Sequence, residues 1–250
     1  MRKHLHILTT LGLPLLLAAC GGASSGNNSA AEGAWTGTDS WGNSFHMLVL
    51  ENGDYYSLYG MNNSGDFVLQ GFDQGTPVLN GDTLKGSITE YDNTNKPAKG
   101  SLEATVVPGS SIKGSIANAA STSSGTFTAT PLAAKYAGYD YNATAYTSDV
   151  QGSWTVTSMS SNSEKVTIND KGVVTGSIKG CSFSGTVSPR SSGKNVLNVG
   201  LLFGPSPCEL ANQGLSGVAL DYDLGTGKRQ LLVALQDPIK GHGYSFSALR

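Results

Sequence analysis

The sequence predicts an all-β protein built as two tandem antiparallel barrels, each of about eight short strands. Three observations carry this expectation. The 250 residues include 33 Gly and only 14% charged side chains, a composition that disfavours long helices and favours short strands joined by tight turns. The pattern G-x-W-T-x-T occurs twice, as Gly33-Ala34-Trp35-Thr36-Gly37-Thr38 and as Gly152-Ser153-Trp154-Thr155-Val156-Thr157, with 119 residues between the two tryptophans. That interval suits two copies of one small β domain, with two unrelated β domains as the alternative. Finally, polar and apolar residues alternate with the period of two that a half-buried strand requires.

The alternation is clearest in the second half. Phe183, Gly185 and Val187 fall on one face of 182–188, and Leu197, Val199, Leu201 and Phe203 on one face of 195–203. Leu231, Val233 and Leu235 share a face, as do Tyr244, Phe246 and Ala248. With 154–157, 165–169, 172–179 and 216–222 these make the second set of strands. The first set is expected at 35–38, 45–51, 54–60, 66–72, 82–89, 99–107, 110–116 and 124–130. Asn52-Gly53, Asn80-Gly81 and Lys171-Gly172 supply hairpin turns. Closure into a barrel leaves no exposed strand edge, which makes it the preferred architecture over a pair of β-sandwiches.

The N-terminus reads as an address. Arg2, Lys3 and His4 precede an apolar stretch from Leu5 to Ala19, too short for a comfortable membrane span and ending in small residues. Leu17-Ala18-Ala19-Cys20 resembles the lipobox of bacterial lipoproteins. The resemblance implies that Cys20 takes a diacylglyceryl group and becomes the first residue after cleavage of 1–19, so that the partner of the mature chain is the membrane, through its lipid anchor. Gly21, rather than Asp, at the next position implies outer-membrane delivery, on a face left open between periplasm and cell surface. An ordinary secretory signal is the alternative. Loss of Arg2 and Lys3 leaves 14 Lys and Arg against 18 Asp and Glu, a balance with no attraction for nucleic acid or anionic headgroups. Residues 20–32 read as a flexible tether, 33–130 as the first barrel, 131–150 as a linker and 151–250 as the second barrel.

Within the linker, Tyr136, Tyr139, Tyr141 and Tyr146 are expected to pack between the halves or, alternatively, to form an exposed recognition surface. With Cys20 assigned to lipid, Cys181 and Cys208 remain, and in an exported chain they are expected to form a disulfide. No cofactor is expected. The nearest approach to a metal site is Asp221 and Asp223, two residues apart like the opening of a calcium loop, against a plain hairpin turn in 223–227. His46 is expected on a solvent-facing strand position and His242 in a turn, with a Ser–His–Asp assembly as the residual catalytic alternative. Glu90 and Asp92 lie at strand spacing and are expected on a solvated face, with a general acid/base pair as the alternative.

Gly33-Ala34-Trp35 and Gly152-Ser153-Trp154 resemble the Gly-x-Trp of the lipocalins and avidins. The resemblance implies that Gly33 with Trp35, and Gly152 with Trp154, plug one end of each barrel while the other end can admit a ligand. Gly180-Cys181-Ser182-Phe183-Ser184-Gly185 and the later Cys208 resemble small-β-barrel lipoproteins of Gram-negative bacteria, a likeness over about 150–250 that implies no activity. The reading that follows is an outer-membrane lipoprotein acting as a non-enzymatic binding module for a host or envelope macromolecule, a protein or glycan. A lipocalin-like carrier of a small apolar ligand is the first alternative and a hydrolytic enzyme the second. The oligomeric state is left open.

Overall fold

The computed structural model describes residues 28–250 except 64–65, 93–96, 120–123, 158–163 and 226. The expected signal peptide 1–19, the expected lipidation site Cys20 and most of the expected tether therefore lie outside the described residues. The rest is all-β: two closed eight-stranded antiparallel barrels in series.

In the first barrel, β1 (Gly33–Asp39), β2 (Ser44–Val49), β3 (Tyr55–Asn63) and β4 (Asp66–Gly75) form a meander. A short β5 (Val78–Asn80) leads into β6 (Thr83–Tyr91), β7 (Ala98–Val107), β8 (Ser111–Asn118) and β9 (Ser124–Pro131). Pairing of β9 with β1 and of β4 with β6 closes the ring, while β5 pairs only with β6, outside it. Two single-turn helices, α1 (Leu132–Lys135) and α2 (Thr147–Val150), lie in the connection. The second barrel is β10 (Gly152–Thr157), β11 (Lys165–Ile168), β12 (Val173–Ile178), β13 (Cys181–Pro189), β14 (Leu197–Phe203), β15 (Gly214–Asp223), β16 (Arg229–Gln236) and β17 (Gly243–Leu249), closed by β10 on β17. Every expected strand is present. Only β5 and the two short helices had no periodicity long enough to reveal them.

Both barrels are apolar inside and polar on their free outer walls. Along β7, Leu102, Ala104 and Val106 are buried while Lys99, Ser101, Glu103 and Thr105 face out, and on β9 Thr126, Thr128 and Thr130 face out. A membrane-spanning barrel has the opposite polarity, with an apolar belt outside. These walls are therefore built for water.

The barrels are docked through a third apolar cluster that belongs to neither interior. Leu48, Leu58, Phe67 and Phe72 of the first barrel meet Val218, Leu220, Tyr222, Leu232 and Ala234 of the second. The strands that supply them read as continuous apolar runs, such as Leu231-Leu232-Val233-Ala234-Leu235, because one face fills a barrel and the other fills the seam. The start of β4 reaches across the seam, where the Phe67 N–H donates to Gln230 Oε1 at 2.9 Å and the Leu69 N–H to Ser247 Oγ at 3.2 Å. Arg190 and Glu51 form an ion pair between the barrels at 2.6 Å. Burial would raise the Glu51 carboxyl, but the hydrogen bond and charge of Arg190 outweigh it and hold the group below its usual range.

Residues 28–32 depart from the flexible tether expected over 20–32. Asn28 is buried, donating to the Pro77 carbonyl at 2.7 Å and accepting from the Leu79 N–H at 2.7 Å, and Ala31 is buried under Trp35. These short polar and small side chains carry no apolar periodicity, so only their tertiary partners reveal that they are fixed.

Candidate functional site

The repeated Gly-x-Trp motif builds the same device twice. Gly33 and Gly152 sit at φ 151° and 131°, conformations that side chains other than glycine rarely adopt. The turn this permits buries the following Trp at one barrel end. Trp35 Nε1–H donates to the Ala31 carbonyl at 3.0 Å and Trp154 Nε1–H to the Val150 carbonyl at 2.7 Å, each four residues back. Pro131 opposes Trp35 on the neighbouring strand, and the Arg250 guanidinium lies 4.7 Å from the centroid of the Trp154 ring.

At the opposite ends the barrels part company. In the second, Phe183, Phe203, Tyr244 and Phe246 fill the lumen, with Phe203 and Tyr244 in an edge-on contact at 4.9 Å. The Cys181–Cys208 disulfide forms, joining the start of β13 to the loop after β14. In the first, the corresponding region is a cavity of about 290 Å³, opening where the β1–β2 turn meets the start of β9.

Side chains from most of the surrounding strands converge on this cavity. Phe45, Tyr55, Ile88 and Phe127 form apolar walls, and Tyr59, Asp73 and Glu90 add polar groups. Asp73 and Glu90 are opposed residues on β4 and β6, so the strand pairing that closes the barrel sets two carboxyl groups side by side. Tyr59 OH donates to Glu90 Oε1 at 2.9 Å. Asp73 is 5% exposed, and among the described residues no donor bonds its carboxyl. Burial, then the charges of Glu90 and Asp39, push the Asp73 carboxyl well above the usual carboxylate range. Burial also raises the Tyr55 and Tyr59 hydroxyls, with Asp73 adding to the shift on Tyr55 and Glu90 to that on Tyr59.

The mouth is set by the β1–β2 turn. Asp39 accepts from the Trp41 and Asn43 N–H groups, both at 2.9 Å, and from Asn43 Nδ2 at 2.9 Å. Ser40 is bonded to Thr126 on β9 in both directions. Trp41 is thereby held at the rim, 53% exposed, with its ring against Gly125, where a Cβ would come within 2.4 Å of it. Gly125 is the space the ring occupies.

The other expected residues fall elsewhere. Glu90 is not on a solvated face: it points into the cavity, because closure by β4 gives β6 an interior that sequence spacing alone does not orient. Asp92 lies just beyond the end of β6. His46 is not solvent-facing either. Its ring is buried in the seam, 3.0 Å from Tyr222 OH through Nε2 and edge-on to Phe67, and burial, assisted by Lys135, lowers its pKa to about 3. His242 occupies the β16–β17 turn and pairs with Asp237 at 2.9 Å. Tyr139 and Tyr141 are buried in the seam and Tyr136 packs on Tyr222 at 4.4 Å, so these three do not form a recognition surface; Tyr146, 59% exposed, is the one that faces solvent. Asp221 is held by Arg229, and Asp223 accepts from the Gly225 N–H in the hairpin turn, so both carboxylates are engaged within the β15–β16 hairpin. The aromatic wall of the cavity was readable as strand positions, but Asp73 drew no attention in the sequence. A lone acid within the otherwise uncharged run Phe67–Thr76 is the signal that marks it.

No protein-family model matches the chain, and no curated protein matches its sequence. Among solved structures, it is similar to a chain from Bacteroides fragilis provisionally described as an outer membrane protein. The identity is 12%, over 87% of this chain and 94% of that one, with a TM-score of 0.25. At that identity and TM-score the likeness bears on neither function nor location.

Proposed function

We propose that this chain is a lipid-anchored envelope protein that binds a small molecule in its first barrel without transforming it. The observation that carries the reading is the contrast between two barrels with the same strand plan and the same Trp plug, one filled with aromatic side chains and the other containing a cavity lined by aromatic walls and a few polar groups. Ligand pockets of about 300–1,000 Å³ are typically built in this way, and this one lies at the lower edge of that range. The reading is supported by the fate of the linker tyrosines. Packing between the halves was their first expected role and a recognition surface the alternative, and three of the four are committed to holding the barrels together.

Ligand-observed NMR with a mixed set of small aromatic amines, alcohols and acids tests the reading. Saturation transfer to members of the set that disappears in Ala98→Phe, which places a bulky ring at the cavity rim, supports it. Absence of transfer to every member contradicts it. The anchor is tested separately: Cys20→Ser should release the protein from membranes, and a variant that still sediments with them refutes lipidation at that residue.

A further inference from the structure

We infer that the ligand of the first barrel is a small organic cation, an ammonium group on a compact apolar body, held at the Asp73–Glu90 pair. The inference rests on the binding role proposed above and adds the charge of the ligand. Four observations converge on it.

The first is an unmet need. Asp73 is a carboxyl group 5% exposed, facing the cavity, with no donor among the described residues and with acidic rather than basic groups around it. Buried carboxyl groups are ordinarily satisfied by donors or paired with a cation, because an unpaired buried charge is strongly disfavoured. The second is sign. Asp39, Asp73 and Glu90 are the acidic groups lining the cavity. The single basic residue along the lining, Lys99, lies on the outer wall with its ammonium bonded to Thr89 Oγ1 at 3.1 Å. An anionic ligand would meet repulsion inside, and a cation meets none. The third is selectivity within the cavity. Asp39 is already bonded three times in the turn, and one oxygen of Glu90 accepts from Tyr59. Asp73 and the remaining Glu90 oxygen are the carboxylate acceptors left for a ligand among the described residues, which favours a single ammonium over a metal ion that requires several oxygen ligands. The fourth is the wall. Phe45, Tyr55, Tyr59 and Phe127 line the space and Trp41 borders its mouth. Aromatic faces attract cations while also covering an apolar body, a combination used wherever organic ammonium groups are recognised.

Seating a cation between the two carboxyl groups offsets the burial, and with it the repulsion from Glu90 and Asp39, that raises the Asp73 carboxyl. Binding therefore releases a proton when the free protein carries one there, and affinity rises with pH through the titration of Asp73. Tyr55, Tyr59, Glu90 and Asp39 are the other titratable groups facing this position. The two tyrosines stay neutral across the working range because their hydroxyls are raised.

The experiment is calorimetric titration of the mature chain with three probes of nearly the same shape: 2-phenylethylamine as the cation, 2-phenylethanol as the neutral analogue and 3-phenylpropanoate as the anion. The expected result is at least tenfold tighter binding of the amine than of the alcohol, with the anion weakest. Asp73→Asn should reduce that preference by tenfold or more, and Glu90→Gln, kept as a second variant should the first fold poorly, should reduce it in part. Amine and alcohol binding equally well would overturn the charge inference while leaving a binding cavity intact. No binding of any probe, together with no saturation transfer in the NMR screen, would overturn both. Repetition in buffers of different ionisation enthalpy reads the proton: an amine-specific release in the wild type, absent in Asp73→Asn, is expected, and no release at any pH between 4 and 8 would contradict the role given to Asp73.

Discussion

The two barrels share a strand plan and diverge in what fills the end away from the tryptophan. The strand pairings put Phe127 opposite Asp39 in the first barrel, and its counterpart 119 residues on, Phe246, lies on the corresponding last strand of the second. The same spacing sets Gly125 against Tyr244, and the seam between the fourth and fifth strands of each ring carries Asp73 with Glu90 in one and Phe183 with Phe203 in the other. The glycine where the partner barrel has a tyrosine makes room for the Trp41 ring at the rim, and two acids where it has two phenylalanines give the cavity a charge. Removing aromatic bulk from one lumen sacrifices burial worth several kcal/mol per ring. The first barrel leaves a cavity open where its neighbour is packed, and that contrast is the ground of the proposed binding role.

The comparison can be broken most forcefully at the shared plug. Trp154→Ala and Trp35→Ala should each destabilise their own barrel by about 3–5 kcal/mol, read by chemical unfolding, because both rings are buried and hydrogen-bonded in the same way. If one truncation proves harmless, the two plugs are not equivalent. Next in size is the disulfide, which closes a separation of 27 residues in the filled barrel alone. Its reduction should lower stability by about 3–4 kcal/mol on the loop-closure model. Hydrogen exchange should show the loss concentrated in β13–β15, and a uniform loss over both barrels would mean that they unfold as one unit.

The seam between the barrels predicts a response to acid. His46 is held neutral, with its pKa lowered from 6.5 to about 3. A depressed histidine contributes stability that is fully present above 6.5 and is lost as pH falls from there toward 3. The docked arrangement should therefore loosen over that window, and His46→Phe should flatten the dependence; small-angle scattering across the range is the check. The cavity predicts the opposite sign. Asp73 is raised, so its contribution is present below the ordinary value of 3.8 and is lost as pH rises through the folded-state value. Asp73→Asn should accordingly be stabilising near neutrality by on the order of 1–2 kcal/mol, an effect that shrinks in acid. Smallest of all is Gly125→Ala. Its Cβ displaces the exposed Trp41 ring, which should shift the tryptophan emission to longer wavelength and change stability by less than about 1 kcal/mol.

Much of this architecture was legible beforehand. The alternation in 195–203 and 229–236 oriented the interior of the second barrel residue by residue, because a filled lumen demands an apolar side chain at every second position. The Cys181–Cys208 pairing was expected from the parity of the cysteines in a chain read as exported, and the disulfide is present. The seam was less legible: Leu232, Ala234 and Val218 complete apolar runs whose outward face has no partner until the other barrel is placed against it. The same holds for His46, whose position reads as solvent-facing on β2 alone and is buried by Phe67 and Tyr222 at the seam. The cavity was least legible, since Asp73 and Glu90 are 17 residues apart on strands joined by β5 and become neighbours only when β4 and β6 close the ring. Period-two patterning reports which face is buried. It does not report whether the buried space is filled.

The most direct test of the central contrast is a crystal structure of the mature chain with 2-phenylethylamine. The account predicts the ammonium at Asp73 and Glu90, the phenyl ring among Phe45, Tyr55 and Phe127, and a second barrel still packed by Phe183, Phe203 and Tyr244 without ligand. Amine found elsewhere on the chain, or a first barrel whose lumen proves to be closed by its own side chains, would contradict it.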